Sequence, residues 1–143
     1  MRFADTNVLL YAASTAPAEA AKKRVALTLL AGHDLALSVQ VLQEFYVQAT
    51  RPTRADRLSH AQASALIEAF LRFRVQEATV AIMTAALETC HRFHISYWDA
   101  SIIEAARAVG CDTVLSEDLT DGRDYAGVRV QNPFRVRRSI RRS

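Results

Sequence analysis

The sequence predicts an α/β domain built on a mainly parallel central sheet flanked by helices. Three observations lead there. Short apolar stretches (Phe3-Ala4, Leu35-Ala36-Leu37, Thr113-Val114-Leu115) recur between longer segments with helical patterning. Strands separated by helices in this way pair most simply in parallel. A chain of 143 residues, half of them hydrophobic and with few Gly and Pro, suits one domain with its own core.

The elements follow in order. A buried strand through Phe3-Ala4 ends at Asp5, and residues 8–12 read as one or two helical turns. In PAEAAKKRVALTLLAG, Pro17 marks a helix start and Gly32 its stop, with Val25, Leu27, Leu29 and Leu30 expected inside. Leu35-Ala36-Leu37 is the second strand. Ser38 is placed to cap VQVLQEFYVQAT, which Pro52 ends. RPTRADRLS is a polar loop. A helix over residues 61–73 would put Leu66, Ile67, Phe70 and Leu71 on one side. Arg74-Val75-Gln76 reads as an edge strand and Val80–Phe93 as a helix. Ser96 then introduces YWDASIIEAARAVG, ended by Gly110. Thr113-Val114-Leu115 runs as a strand into SEDLTDG, and Val128-Arg129-Val130 is the last strand before Asn132-Pro133.

Four acids interrupt this pattern. Asp5 and Asp118 follow strands, and in parallel sheets sites form beyond the strands' carboxyl ends. Glu44 sits about 60° from Val41 and about 100° from Phe45 around its helix, with Gln48 beside it, so it borders the apolar face. Asp99 falls between Ile102 and Ile103, at about 60° and about 40°, with Ala106 close by. Each has a local reading. Asp5 can cap the next helix, Ser96 and Asp99 match a capping box, Glu44 can be solvated, and Asp118 lies in an acidic turn with Glu117, Asp121 and Asp124. The set points further. An ionised carboxylate near a core needs compensation, which a divalent cation supplies. Hard oxygen ligands suit Mg²⁺ or Mn²⁺, and such ions promote phosphodiester hydrolysis.

Several classes are excluded. A haloacid-dehalogenase-like phosphatase needs Asp-x-Asp, and Asn7 stands at the second place. That scheme and a receiver domain both need a later lysine, but Lys22 and Lys23 are the only lysines. No apolar run could span a bilayer. The first residues carry an acid where a secretory leader needs a basic head, so a cytoplasmic protein is expected. Cys90 and Cys111 fit no zinc spacing and are expected to be inert core thiols. Of 18 basic residues, five arginines (Arg135, Arg137, Arg138, Arg141, Arg142) lie in residues 133–143 with no acid. That leaves 13 against 15 acids, a net of −2 for the body. The tail is either an RNA contact or a solubilising end.

The segments ADTNVLLYA, VLQEFYV, YWDASIIEAA and LSEDLTDG, in this order, resemble a PIN domain, and more narrowly the VapC-type ribonuclease toxins of bacterial toxin–antitoxin pairs. The resemblance runs from Met1 to about Phe134. It implies a three-layer nuclease domain over residues 1–134, with residues 135–143 a basic tail beyond the family's usual stop. It implies an Mg²⁺- or Mn²⁺-dependent endoribonuclease with catalytic Asp5, Glu44, Asp99 and Asp118, of which Asp5, Asp99 and Asp118 hold the metal. Asn7 and Ser116 match polar positions that order the carboxylates, and Asp121 is an outer acid. The implied partners are RNA and a cognate antitoxin; the several apolar helices of so small a body lead to the expectation of a homodimer, and no membrane contact is expected. Arg2, Arg123 and the tail arginines are candidates to hold the RNA backbone. The alternatives are a PIN-domain nuclease of RNA maturation and a non-catalytic module that binds RNA or protein.

Overall fold

The computed structural model describes residues 1–135. Tail residues Arg137, Arg138, Arg141 and Arg142 lie outside them. Over the described residues the chain runs β1 (Arg2–Ala4), α1 (Thr6–Ala13), α2 (Ala20–Ala31), β2 (Leu35–Ser38), α3 (Val39–Ala49), α4 (His60–Phe70) and β3 (Arg74–Gln76). It continues through α5 (Val80–Phe93), α6 (Tyr97–Ala108), β4 (Thr113–Leu115), β5 (Asp124–Tyr125) and β6 (Val128–Gln131). The sheet order is β3-β2-β1-β4-β6-β5. Every pairing is parallel except β5 with β6. The predicted α/β class is therefore the observed one, with Arg74-Val75-Gln76 at the edge as expected.

Helices flank the sheet in two groups. α1 packs on α2 and α3, and α3 on α4; α6 lies against β2, β3, β4 and β6 and carries α5. The core between them holds Phe3, Val8, Leu35, Leu37, Phe45, Ile103 and Val114, all fully buried. Burial at this level stabilises by roughly 1.5–3 kcal/mol per large side chain before entropy is counted. Among the described residues no helix is long and apolar enough to cross a membrane.

Local chemistry fixes the boundaries. Ser38 Oγ accepts from Val41 N at 3.2 Å, and Ser59 with Gln62 forms a complete capping box on α4. Gly110, at φ +89°, closes α6: its N–H reaches Arg107 O, and the next N–H, of Cys111, reaches Ala106 O at 2.9 Å. A side chain at that φ would be strained.

Some expectations are corrected. α2 begins after a short 3-10 turn at Pro17–Glu19, and it buries only Ala26 and Leu30; Leu27 is exposed because the helix covers the domain with one narrow stripe. α4 stops at Phe70, so Leu71 is exposed rather than on its buried side. Cys90 is half-buried and only Cys111 is a core thiol. β5 was not foreseen. It pairs with β6 through Ala126-Gly127, both at positive φ, as a two-residue hairpin of the primed type requires.

Ser38 is 3% exposed, so losing its cap leaves Val41 N–H without a partner in a dry setting. Ser38→Ala should cost about 1–2 kcal/mol. Urea unfolding checks this, the midpoint falling with the slope unchanged.

Candidate active site

The central pair β1 and β4 sets the site. Their register matches Phe3 to Val114 and Ala4 to Leu115, and Asp5 N donates to Leu115 O at 3.0 Å. The residues just past both strand ends, Asp5 and Ser116, are thereby neighbours, and Ser116 Oγ donates to Asp5 Oδ2 at 2.7 Å. After β1 the chain turns toward β2, with β4 on the other side, so this crevice is a topological switch point of the sheet.

Asp5 is also the N-cap of α1, its Oδ1 accepting from Thr6 N at 2.7 Å. The capping reading holds, and the same carboxylate also takes the Ser116 hydroxyl beyond the strand ends. Ser116 does further work: its Oγ accepts from Asp118 N at 3.1 Å and Leu119 N at 3.3 Å, which folds the turn after β4. Asn7 clamps that turn, donating to Asp118 Oδ2 at 3.2 Å and accepting from Glu117 N at 3.4 Å. Glu44, on α3, accepts from Thr6 Oγ1 at 2.9 Å and from Gln40 Nε2 at 3.1 Å. Asp99 lies in the first turn of α6, where its N–H donates to Ser96 Oγ at 3.1 Å. The Asp99 carboxylate also meets the Ser96 side chain, which lowers its pKa in part against burial.

Asp5, Glu44, Asp99 and Asp118 line one cavity of about 240 Å³, together with Asn7, Thr6, Glu19, Arg54, Trp98 and Glu117. Asp121 is not among the lining residues; it accepts from Asn132 N at 2.9 Å and pairs with Arg135 at 3.1 Å. The structure also relocates two proposed RNA contacts. Arg2 pairs with Asp34 away from this end of the sheet, and Arg123 donates to Phe93 O while lying over Tyr125. Sequence reasoning missed Thr6, Glu19, Arg54 and Trp98. Of these only Trp98 carried a signal, as a large aromatic directly beside Asp99.

Burial pushes the Asp5 carboxyl up to about 6 from 3.8, with Asp118 and Glu44 adding repulsion against the bonds from Ser116 and Thr6. Burial likewise raises Asp99, with Asp118 and Glu44 as lesser causes. Glu117 differs. Burial would raise it, but Lys22 at 2.7 Å and the Tyr11 hydroxyl hold it below the usual range. The donor set is all hard oxygen and suits Mg²⁺ or Mn²⁺. Among the described residues no three acidic, histidine or cysteine side chains stand close enough to enclose an ion in their present rotamers. The carboxylates face one cavity and would have to turn toward each other.

A family model described as a PIN domain matches residues 2–120. The Mycobacterium tuberculosis toxin VapC20, described as cleaving the sarcin-ricin loop, matches with a TM-score of 0.66 at 22% identity, over 82% of this chain and 92% of that one. A toxin–antitoxin complex from Klebsiella pneumoniae matches with 0.69 at 19%, over 95% and 100%. VapBC2 of Rickettsia felis, bound to promoter DNA, matches with 0.63 at 17%, over 92% and 97%. At these identities the likeness is one of fold. No protein of curated function matches the sequence.

The raised Asp5 pKa has a stability consequence. Below pH 4 the carboxyl is protonated folded or unfolded. Between about pH 4 and about pH 6 the unfolded chain gives up the proton first, so stability falls as pH rises through that window. In EDTA, wild type should lose about 1 kcal/mol between pH 5 and pH 7.5 from this group, and Asp5→Asn should lose correspondingly less. Urea titrations at the two pH values measure it; equal losses would remove the burial argument.

Proposed function

The chain belongs to the PIN domain family, and from that premise we propose that it is a metal-dependent endoribonuclease, the toxin of a toxin–antitoxin pair acting in the cytoplasm. One observation carries the reading: a buried, charge-strained Asp5 at the switch point shares a cavity with Glu44, Asp99 and Asp118. The structures of toxin–antitoxin complexes with this fold support the toxin role.

In this mechanism Asp5 and Asp99 would hold the metal, and Asp118 would complete its site. When bound, Mg²⁺ or Mn²⁺ supplies a hard positive centre that makes water a better nucleophile and offsets charge growing on a phosphodiester. Glu44, held by Thr6 and Gln40, orients the attacking water. Ser116 and Asn7 keep Asp5 and Asp118 in place. The bond broken is an RNA P–O ester.

A cognate antitoxin would cover the acidic cavity with a basic or apolar segment. A homodimer is supported by an apolar face. Val80, Met83 and Leu87 form one stripe on α5. Trp98 shares one groove with Val80 and Met83 and another with Val47, and all five are exposed. Burying such a face on a second copy removes a patch that monomers rarely leave open.

Purified protein should cleave single-stranded RNA with Mg²⁺ or Mn²⁺. EDTA should stop it, and Asp5→Asn or Asp99→Asn should lower the rate by about 100-fold or more. Gel assays on protein freed of wild type check this, and full activity in both variants would sink the site. For the dimer, Met83→Glu should convert the species seen by light scattering to a monomer. A monomeric wild type at micromolar concentration would contradict the assembly.

A further inference from the structure

We propose that Arg54 binds a backbone phosphate of the RNA at the wall of the acid cavity, next to the phosphodiester that is cut. This rests on the nuclease reading and adds a substrate contact to it. The motivating fact is one of charge. Asp5, Glu19, Glu44, Asp99, Glu117 and Asp118 all line the cavity, and Arg54 is the one cation among the described residues that does so.

The surroundings of Arg54 hold it without using it up. It stands in the loop between α3 and α4, which Leu58 N ties back to Ala49 O at 2.8 Å. Its Nε pairs with Asp56 Oδ1 at 3.0 Å. Asp56 is anchored in turn, its Oδ2 accepting from Thr15 N at 3.0 Å, with Ser14 Oγ 3.2 Å away. Glu19 Oε1 lies 4.0 Å from Nη2, too far for a hydrogen bond, and already accepts from Ser14 Oγ at 2.6 Å. Among the described residues, Nη1 and Nη2 therefore make no hydrogen bond, although the side chain is only 25% exposed.

A guanidinium fixed through Nε presents its two Nη groups as a planar fork, a shape that matches a phosphate's oxygens. Lys22 is not equivalent, because Glu117 and Tyr11 occupy its ammonium. A phosphodiester strand fits better than a protein carboxylate. It carries an anion at every nucleotide, so one phosphate can lie on Arg54 while its neighbour meets the acids and their metal.

The test is binding of a fluorescein-labelled single-stranded RNA by anisotropy across a KCl series in Mg²⁺. The parent is Asp5→Asn, so that the RNA stays intact. Adding Arg54→Gln should flatten the slope of log K against log salt by about 0.7, the value of one phosphate contact on a single strand. Arg54→Lys should keep the slope, and Asp56→Asn should keep it too, because the charge remains. Melting curves of each variant report folding, and Arg54→Met, which keeps an apolar stem and removes the charge, should flatten the slope equally and decides the matter if the glutamine variant does not fold. An unchanged slope in Arg54→Gln, an equal loss in Asp56→Asn, or no RNA binding by the parent would overturn the assignment. So would Arg54-dependent binding of an Asp/Glu-rich peptide without RNA binding. Cleavage by wild type is read separately. Cleavage with an unchanged slope removes Arg54 alone, whereas an Arg54-dependent slope without cleavage removes the nuclease reading and leaves the phosphate contact.

Discussion

The parallel pairing of β1 with β4 is the constraint on which the rest of the site depends. Its register puts Asp5 beside Ser116, and their 2.7 Å hydrogen bond joins two segments 111 residues apart in the chain. Ser116 then folds the turn that carries Asp118, and Asn7, in the first turn of α1, clamps it from the other side. A slip of one residue would turn Asp5 to the other face of the sheet and break all of these at once. Apolar packing enforces the register, since Phe3 and Val114 are both fully buried.

Much of this was legible in the sequence, for reasons that can be named. Helices α3, α5 and α6 carry side-chain caps and apolar stripes, and their starts at Ser38, Thr79 and Ser96 are local chemistry. Strands β1, β2 and β4 were readable as short apolar runs because both of their faces are covered. β5 was not readable. It is two residues long, and its turn uses Ala126-Gly127 where Asn-Gly or Asp-Gly would have announced a hairpin. The extent of α2 burial was misread because an amphipathic stripe of two buried residues hardly differs from a run of scattered leucines.

The site divides in the same way. Asp5, Glu44, Asp99 and Asp118 stood out because an acid beside apolar periodicity is a local anomaly. Arg54 did not stand out, since an arginine in RPTRADRLS is ordinary in composition. Only the tertiary fold brings that loop to the cavity through Asp56, Ser14 and Thr15. Asp121 shows the converse: it sits in the same acidic turn as Asp118, yet it is used to hold Asn132 and Arg135.

The acids around the cavity are also treated unequally, and the inequality bears on Asp5. Glu117 is matched by Lys22 and Tyr11, and Asp56, behind the cavity wall, by the Thr15 N–H and then Arg54, so both are held below their ordinary pKa despite burial. Among the described residues Asp5 is bonded only by neutral donors, too weak to offset its burial, which raises its pKa. Capping alone does not explain this. Asn caps a helix about as well as Asp and carries no charge to desolvate. Asn at position 5 would give α1 the same start without the loss of stability at neutral pH. What the Asp adds over Asn is negative charge, placed where the sheet's switch point already gathers Glu44 and Asp118. A charge that weakens the free protein and faces others of its sign would be offset by a cation among them, which is what the proposed metal site requires.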